Sequence, residues 1–160
     1  MKPTIYLKRL NNEVMDLIQD NYAPIHITHH SDRSEVTICK KQLVIPNTYP
    51  FIPPELYIQI HNQKPQSYTQ LLKCPSNRVQ LLMANHKIGC LCCSSILNSI
   101  NWTPSTTIRD ILDDVRNTYE LKRNIMALIM IDAIMLKRKI TDDIGSLIKP
   151  FIYPSFDHKG

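Results

Sequence analysis

The sequence predicts an α+β fold, and three observations predict it. An apolar stripe at helical period opens the chain, period-two alternation runs between residues 25 and 60, and the last third is rich in Ile, Leu and Met. With 160 residues, 43% of them hydrophobic, the chain can bury one core and is too short for two full-sized domains. A single domain over 1–160 is expected, with a core at about 5–118 and a helical C-terminal part at about 119–150.

In "LKRLNNEVMDLIQD", Leu7, Leu10, Val14, Leu17 and Ile18 form one apolar stripe with polar residues opposite, which predicts a first helix ending at Asn21 to Pro24. "IHITHH" alternates Ile25 and Ile27 against His26 and Thr28, as a half-buried strand does, and Ser31 to Ser34 reads as a turn. "EVTICKKQLVIP" starts with Val36 and Ile38 on one face, and "ELYIQI" repeats the pattern with Leu56, Ile58 and Ile60. The expectation is a short antiparallel meander of three to four strands. Pro50, Pro53 and Pro54 remove amide donors, so "NTYPFIPPEL" must be a stiff, irregular crossover.

From His61 to Arg78 the chain is polar and Pro-broken, which predicts a long loop with a short helix around Tyr68 to Lys73. After the cysteine-rich stretch, Ser105 or Thr106 can cap a helix whose apolar face is Ile108, Ile111, Leu112 and Val115, with Arg109 and Asp113 spaced i, i+4. C-terminal helices follow over Tyr119 to Ile140, after a break near Asn117, and over Asp142 to Lys149. Lys137 to Lys139 suit a helix C-terminus.

Composition removes several function classes. Three Gly against eleven Pro, and no GxGxxG or GxxxxGK[ST] pattern, argue against nucleotide binding, and no cofactor is expected. The net charge of +5 comes from scattered Lys and Arg without a basic, aromatic-interleaved stripe, so no nucleic-acid partner is expected. The longest greasy run, Ile125 to Leu136, has the length of a buried helix and contains Asp132; no membrane partner is expected. Five Cys, two of them adjacent, fit a reducing compartment better than a disulfide framework. The expected location is intracellular, cytoplasmic and/or nuclear.

"GCLCCSSIL" packs Cys90, Cys92 and Cys93 into four positions, which admits a reactive thiol or, with Cys74 or His86, a zinc site. The C-x-C-C spacing counts against zinc, because neighbouring thiolates are hard to direct at one tetrahedral ion, and no metal is expected.

Four segments in order, "LKRLNNEVMDLIQD", "YPFIPPEL", "CCSSIL" and "NWTPSTTIRDIL", resemble the opening helix, the YPFxPP crossover, the C-x-[DS]-I-L active-site segment and the W-S-P-x-x-x-I-x-x-[IV]-L segment of the ubiquitin-conjugating enzymes. The resemblance spans most of residues 7 to 116 and implies that family's UBC-like fold. The chain departs from the family's pattern in three places. Only about two strands' worth of sequence lies before Tyr49, so the meander reads one strand short; the His61 to Arg78 stretch reads as an insertion between the crossover and the HPN position; and "MAN" at Met83 to Asn85 stands where the family has HPN.

The resemblance implies an acyltransferase that takes ubiquitin, or a ubiquitin-like modifier, from an activating enzyme as a cysteine thioester and passes it to a substrate lysine, usually with a ligase. Counting without a gap from Asn85 selects Cys93 as the nucleophile, and Ile96 and Leu97 then match the buried pair after it. Anchoring on Gly89-x-Leu91-Cys92 selects Cys92 instead. Asn85 matches the amide that meets the developing oxyanion. Phe51, Trp102 and Pro104 match the ligase-binding edge, with Phe51 expected exposed and Trp102 largely buried, and Lys8 and Arg9 match basic positions that meet the activating enzyme. The same residues also admit two alternatives: a non-catalytic ubiquitin-binding or scaffold domain of the same fold, and a small zinc-binding module.

Overall fold

A computed structural model describes residues 4–22, 24–60, 63–73, 77–85, 87–138 and 144. The chain is α+β, with an N-terminal helix, a five-stranded antiparallel sheet and a long helix after it. It divides into two compact units: Met1–Lys73 with Leu91–Val115, and Cys74–Cys90 with Arg116–Gly160.

In the first unit, helix α1 spans Ile5–Gln19 and buries Leu10, Val14, Leu17 and also Glu13. Ile18, expected on the buried stripe, is 50% exposed, because the buried face is centred on residues 10, 13, 14 and 17 and residue 18 falls beyond its edge. The helix ends where Asn21 takes φ 56 and the Tyr22 amide bonds back to the Leu17 carbonyl, an asparagine serving as left-handed cap.

Strands β1 (Ile25–His29), β2 (Arg33–Ile38), β3 (Lys41–Pro46), β4 (Glu55–Ile58) and β5 (Gln66–Ser67) pair in sequence order, each antiparallel to the next. The count is five where three to four were expected, and three of the strands precede Tyr49. The difference lies in β5, which adds a two-residue strand within the His61 to Arg78 stretch, and in "EVTICKKQLVIP", which folds into two strands around a two-residue turn, Cys39 and Lys40, with Cys39 at φ 54. Hairpin turns with positive φ usually show Gly, Asn or Asp; a Cys-Lys turn gives no such signal. The first turn also shifts: β2 already starts at Arg33, and Ser34 is fully buried inside it, opposite Ile45.

Alternation puts Val36, Ile38, Leu43, Ile45, Leu56 and Ile58 on the buried face. These residues, the α1 stripe and Ile108, Ile111, Leu112 and Val115 form the core of this unit. Helix α2 (Tyr68–Leu71) follows β5 where a short helix around Tyr68 to Lys73 is expected.

In the second unit, helix α3 spans Asn77–Asn85. Helix α4 (Leu91–Ser94) is a single turn back in the first unit. Helix α5 runs unbroken over Ile108–Arg138, without the break expected near Asn117, and gives its first two turns to the first unit and the rest to the second. Ile125, Leu128 and Met135 are buried along the latter part. The expected helix over Asp142 to Lys149 lies outside the described residues except Ile144, which is helical. No helix among the described residues is long and apolar enough to cross a membrane.

Candidate functional site

Helix α4 carries Cys92 and Cys93 side by side. Cys93 is exposed, Cys92 partly so, and their sulfurs lie 4.0 Å apart. The segment after them is anchored inward. Ser95 is buried, donates from Oγ to Asp114 Oδ2 at 3.0 Å, and accepts on the same oxygen from the Leu97 amide at 3.3 Å. The buried Tyr68 hydroxyl also donates to Asp114 Oδ2, at 3.3 Å. Burial raises the Asp114 carboxyl above its ordinary value, opposed by hydrogen bonds from Ser95, Tyr68 and the Ile96 amide. With Leu97 buried as well, the chain directly after the cysteines is held while the Cys93 thiol faces water.

The loop back to α5 is organised by two asparagines. Asn98 accepts on its side chain from the Ile100 amide at 3.1 Å and on its carbonyl from the Asn101 and Trp102 amides, both at 2.9 Å. Asn101 then turns its carboxamide to the cysteines, and Nδ2 donates to the Cys93 carbonyl at 2.7 Å and to the Ser95 carbonyl at 3.0 Å. Residue type alone does not mark either asparagine, because the clamp depends on how the loop between α4 and α5 closes.

Trp102 is buried at 9% exposure. Its indole N–H donates to the Pro50 carbonyl at 2.7 Å, and its ring lies 6.1 Å from that of Tyr49, centroid to centroid. This joins the loop after the cysteines to the proline-rich crossover. Phe51, next along that crossover, is 76% exposed, Ile52 beside it is exposed too, and so is Pro104. The expected caps, Ser105 and Thr106, are not the caps: Thr107 donates to Asp110 Oδ2 and accepts from the Asp110 amide, while the same carboxylate takes the Thr107 amide. The reciprocal pair needs an acid three residues on, which only Thr107 has.

The two basic residues of α1 part company. Lys8 is exposed. Arg9 turns inward, with Nε donating to Glu13 at 2.6 Å, Nη2 donating to the Thr106 carbonyl at 3.2 Å and the guanidinium 5.8 Å from the Tyr49 ring centroid. Burial disfavours the charge on Arg9, but the Glu13 carboxylate outweighs it and the net shift is upward. Glu13 also accepts from the Tyr49 hydroxyl at 2.7 Å and the Ile108 amide at 2.9 Å, so one carboxylate ties α1, the crossover and the start of α5 together. Burial and that bond to Glu13 raise the Tyr49 hydroxyl well above its ordinary value.

Asn85 belongs to the second unit. It is exposed and is the last residue of α3, followed by a helix-ending motif in which Lys87 takes φ 55 and the Ile88 amide bonds to the Met83 carbonyl at 2.8 Å. Asn85 thus stands in a final helical turn. Of the zinc alternative's ligands, Cys74 and His86 lie outside the described residues, and Cys90 is exposed.

Compared with known protein families, curated proteins and solved structures, the chain finds no match.

Proposed function

We propose that the chain is a diverged ubiquitin-conjugating enzyme with a UBC-like fold, which accepts ubiquitin or a ubiquitin-like modifier from an activating enzyme as a thioester on Cys93 and passes it to a substrate lysine, usually with a ligase bound. The observation that carries this reading is the geometry around Cys93. An exposed thiol stands on a fixed turn, the residues directly after it are tied to Asp114, and the loop that follows is tied through Trp102 to the crossover bearing Phe51. Such an arrangement suits acyl transfer: a thiolate is a good nucleophile near neutral pH, and a held backbone beneath it keeps the acyl carbon in a defined place for an amine. The proposed setting is intracellular, cytoplasmic and/or nuclear.

The partner surfaces divide accordingly. Phe51, with Pro104, is the ligase edge, and the buried Trp102 holds that edge in place. Lys8 is available to the activating enzyme, whereas Arg9 serves the fold through Glu13. The proposed oxyanion role of Asn85 draws support from its exposure; its place at a helix end, without the family's His and Pro, favours the second reading, a non-catalytic ubiquitin-binding or scaffold domain. Incubating the protein with activating enzyme, ubiquitin and ATP, then chasing with free lysine, separates the two. A reducible adduct that discharges supports the enzyme, and no adduct supports the scaffold.

A further inference from the structure

The two adjacent thiols of α4 need not act as one nucleophile and one bystander. We infer that Cys92 is a second acyl site, and that an acyl group loaded on Cys93 exchanges onto Cys92 and back by intramolecular thioester exchange. This rests on the reading of Cys93 as the loaded residue. The sulfurs lie 4.0 Å apart. An acyl carbon bonded to Cys93 Sγ stands at one bond length from it, so a rotation about the Cys93 side chain brings that carbon within attack distance of the neighbouring sulfur.

The backbone beneath the pair is not free to carry the sulfurs apart. The Cys93 carbonyl is held by Asn101, and Ser94 Oγ closes the turn by donating to the Leu91 carbonyl at 3.2 Å. Both thiols therefore project from one fixed turn, which raises the effective concentration of each at the other.

In the exchange, the Cys92 thiol loses its proton to solvent and its thiolate attacks the acyl carbon. A bond from that carbon to Cys92 Sγ forms, the bond to Cys93 Sγ breaks, and the electron pair leaves with Cys93 Sγ, which takes a proton from solvent. No oxidant, reductant or further reactant enters. One thioester replaces another, so the step is close to thermoneutral, and surroundings decide the populations. Cys93 is exposed and Cys92 only partly so, which makes Cys93 the entry point and the better seat for a protein-sized acyl group.

The direction of use follows from chemistry alone. Loading favours the exposed sulfur, while an acyl group parked on the partly covered one is less open to water and to stray amines. The pair would act as a store beside a delivery site.

The test uses the full chain and a small acyl donor, the thioester of acetylglycine with a simple mercaptan, which needs no activating enzyme. After a short pulse the donor is removed, free thiols are alkylated at intervals, and the tryptic peptide Ile88–Arg109, which holds Cys90, Cys92 and Cys93, is mapped by fragmentation. The expected result is acyl mainly on Cys93 at first, then a rising share on Cys92 that levels off within about tenfold of the Cys93 share. In Cys92→Ala, which offers no acceptor at that position, the label should stay on Cys93. A distribution that does not change with time, or one in which Cys93 loses label equally in Cys92→Ala, overturns the exchange. A parallel reaction with activating enzyme, ubiquitin and ATP reports on the enzyme reading separately: exchange of the small acyl group with no ubiquitin adduct would refute that reading and leave Cys92 and Cys93 as an acyl-exchanging pair.

Discussion

Asn101 Nδ2 donates to the carbonyl oxygen of Cys93 across 2.7 Å, and the same nitrogen reaches the Ser95 carbonyl at 3.0 Å. A side chain eight residues away thus fixes the backbone on which the proposed nucleophile stands. Asn101→Ala should lower stability by only about 1 kcal/mol, the typical net worth of such hydrogen bonds, yet slow adduct formation at Cys93 severalfold. Asn101→Gln, which keeps the amide on a longer stem, should recover part of that loss. Equal charging rates in native protein and Asn101→Ala would make the clamp a feature of the loop alone.

Glu13 is the more consequential residue for folding. It receives Arg9 Nε, the Tyr49 hydroxyl and the Ile108 amide, all within 2.9 Å. Glu13→Ala strands these donors and should cost about 2 to 5 kcal/mol in urea unfolding, chiefly because the Tyr49 hydroxyl and the Ile108 amide are left buried without an acceptor. A loss under about 1 kcal/mol, typical of an exposed pair, would show that water replaces the carboxylate.

Much of this architecture is legible in the chain, and the places where it is not have physical causes. The α1 stripe, the alternation in β2 and β4 and the stiffness of the crossover follow from periodicity and proline chemistry. The hairpin at Cys39 hides because neither turn residue is one that positive φ favours. Helix α3 hides because polar residues such as Asn77 and Gln80 interrupt its apolar period. Glu13 reads as a solvated helix residue until a tyrosine 36 positions away and an amide 95 positions away converge on it. At the site, Cys93, Phe51 and Trp102 stand out by residue type and order, whereas the Asn98 and Asn101 hydrogen bonds come from loop closure.

Asp114 makes stability depend on pH in a definite direction. Burial raises its carboxyl above the unfolded value, so its contribution is fully present below the ordinary Asp range and is lost as pH rises through the raised folded value. The stability of native protein relative to Asp114→Asn should therefore fall as pH climbs through and above the range where an ordinary Asp titrates. Urea midpoints for the two proteins at matched pH values measure it. A difference that stays flat would mean that the bonds from Ser95, Tyr68 and the Ile96 amide balance burial, and one that grows with pH that they outweigh it.

The two aromatic residues of the proposed ligase edge should behave oppositely. Phe51→Ala, at an exposed position, should keep its melting temperature and its adduct while losing ligase-stimulated discharge. Trp102→Ala should cost about 3 to 5 kcal/mol of stability, because it empties a buried site and releases the Pro50 carbonyl. A large drop in melting temperature for Phe51→Ala would remove the case for a binding edge.

The central claim, a thioester at Cys93, is tested most directly by intact mass after incubation with activating enzyme, ubiquitin and ATP, with and without a reducing thiol. The account predicts one added ubiquitin on the native chain and on Cys92→Ser, removed by the thiol. Cys93→Ser should carry either a thiol-resistant oxyester or no adduct at early times. A native chain that gains no mass, or a Cys93→Ser chain that charges as fast as native through a thiol-sensitive bond, would contradict it.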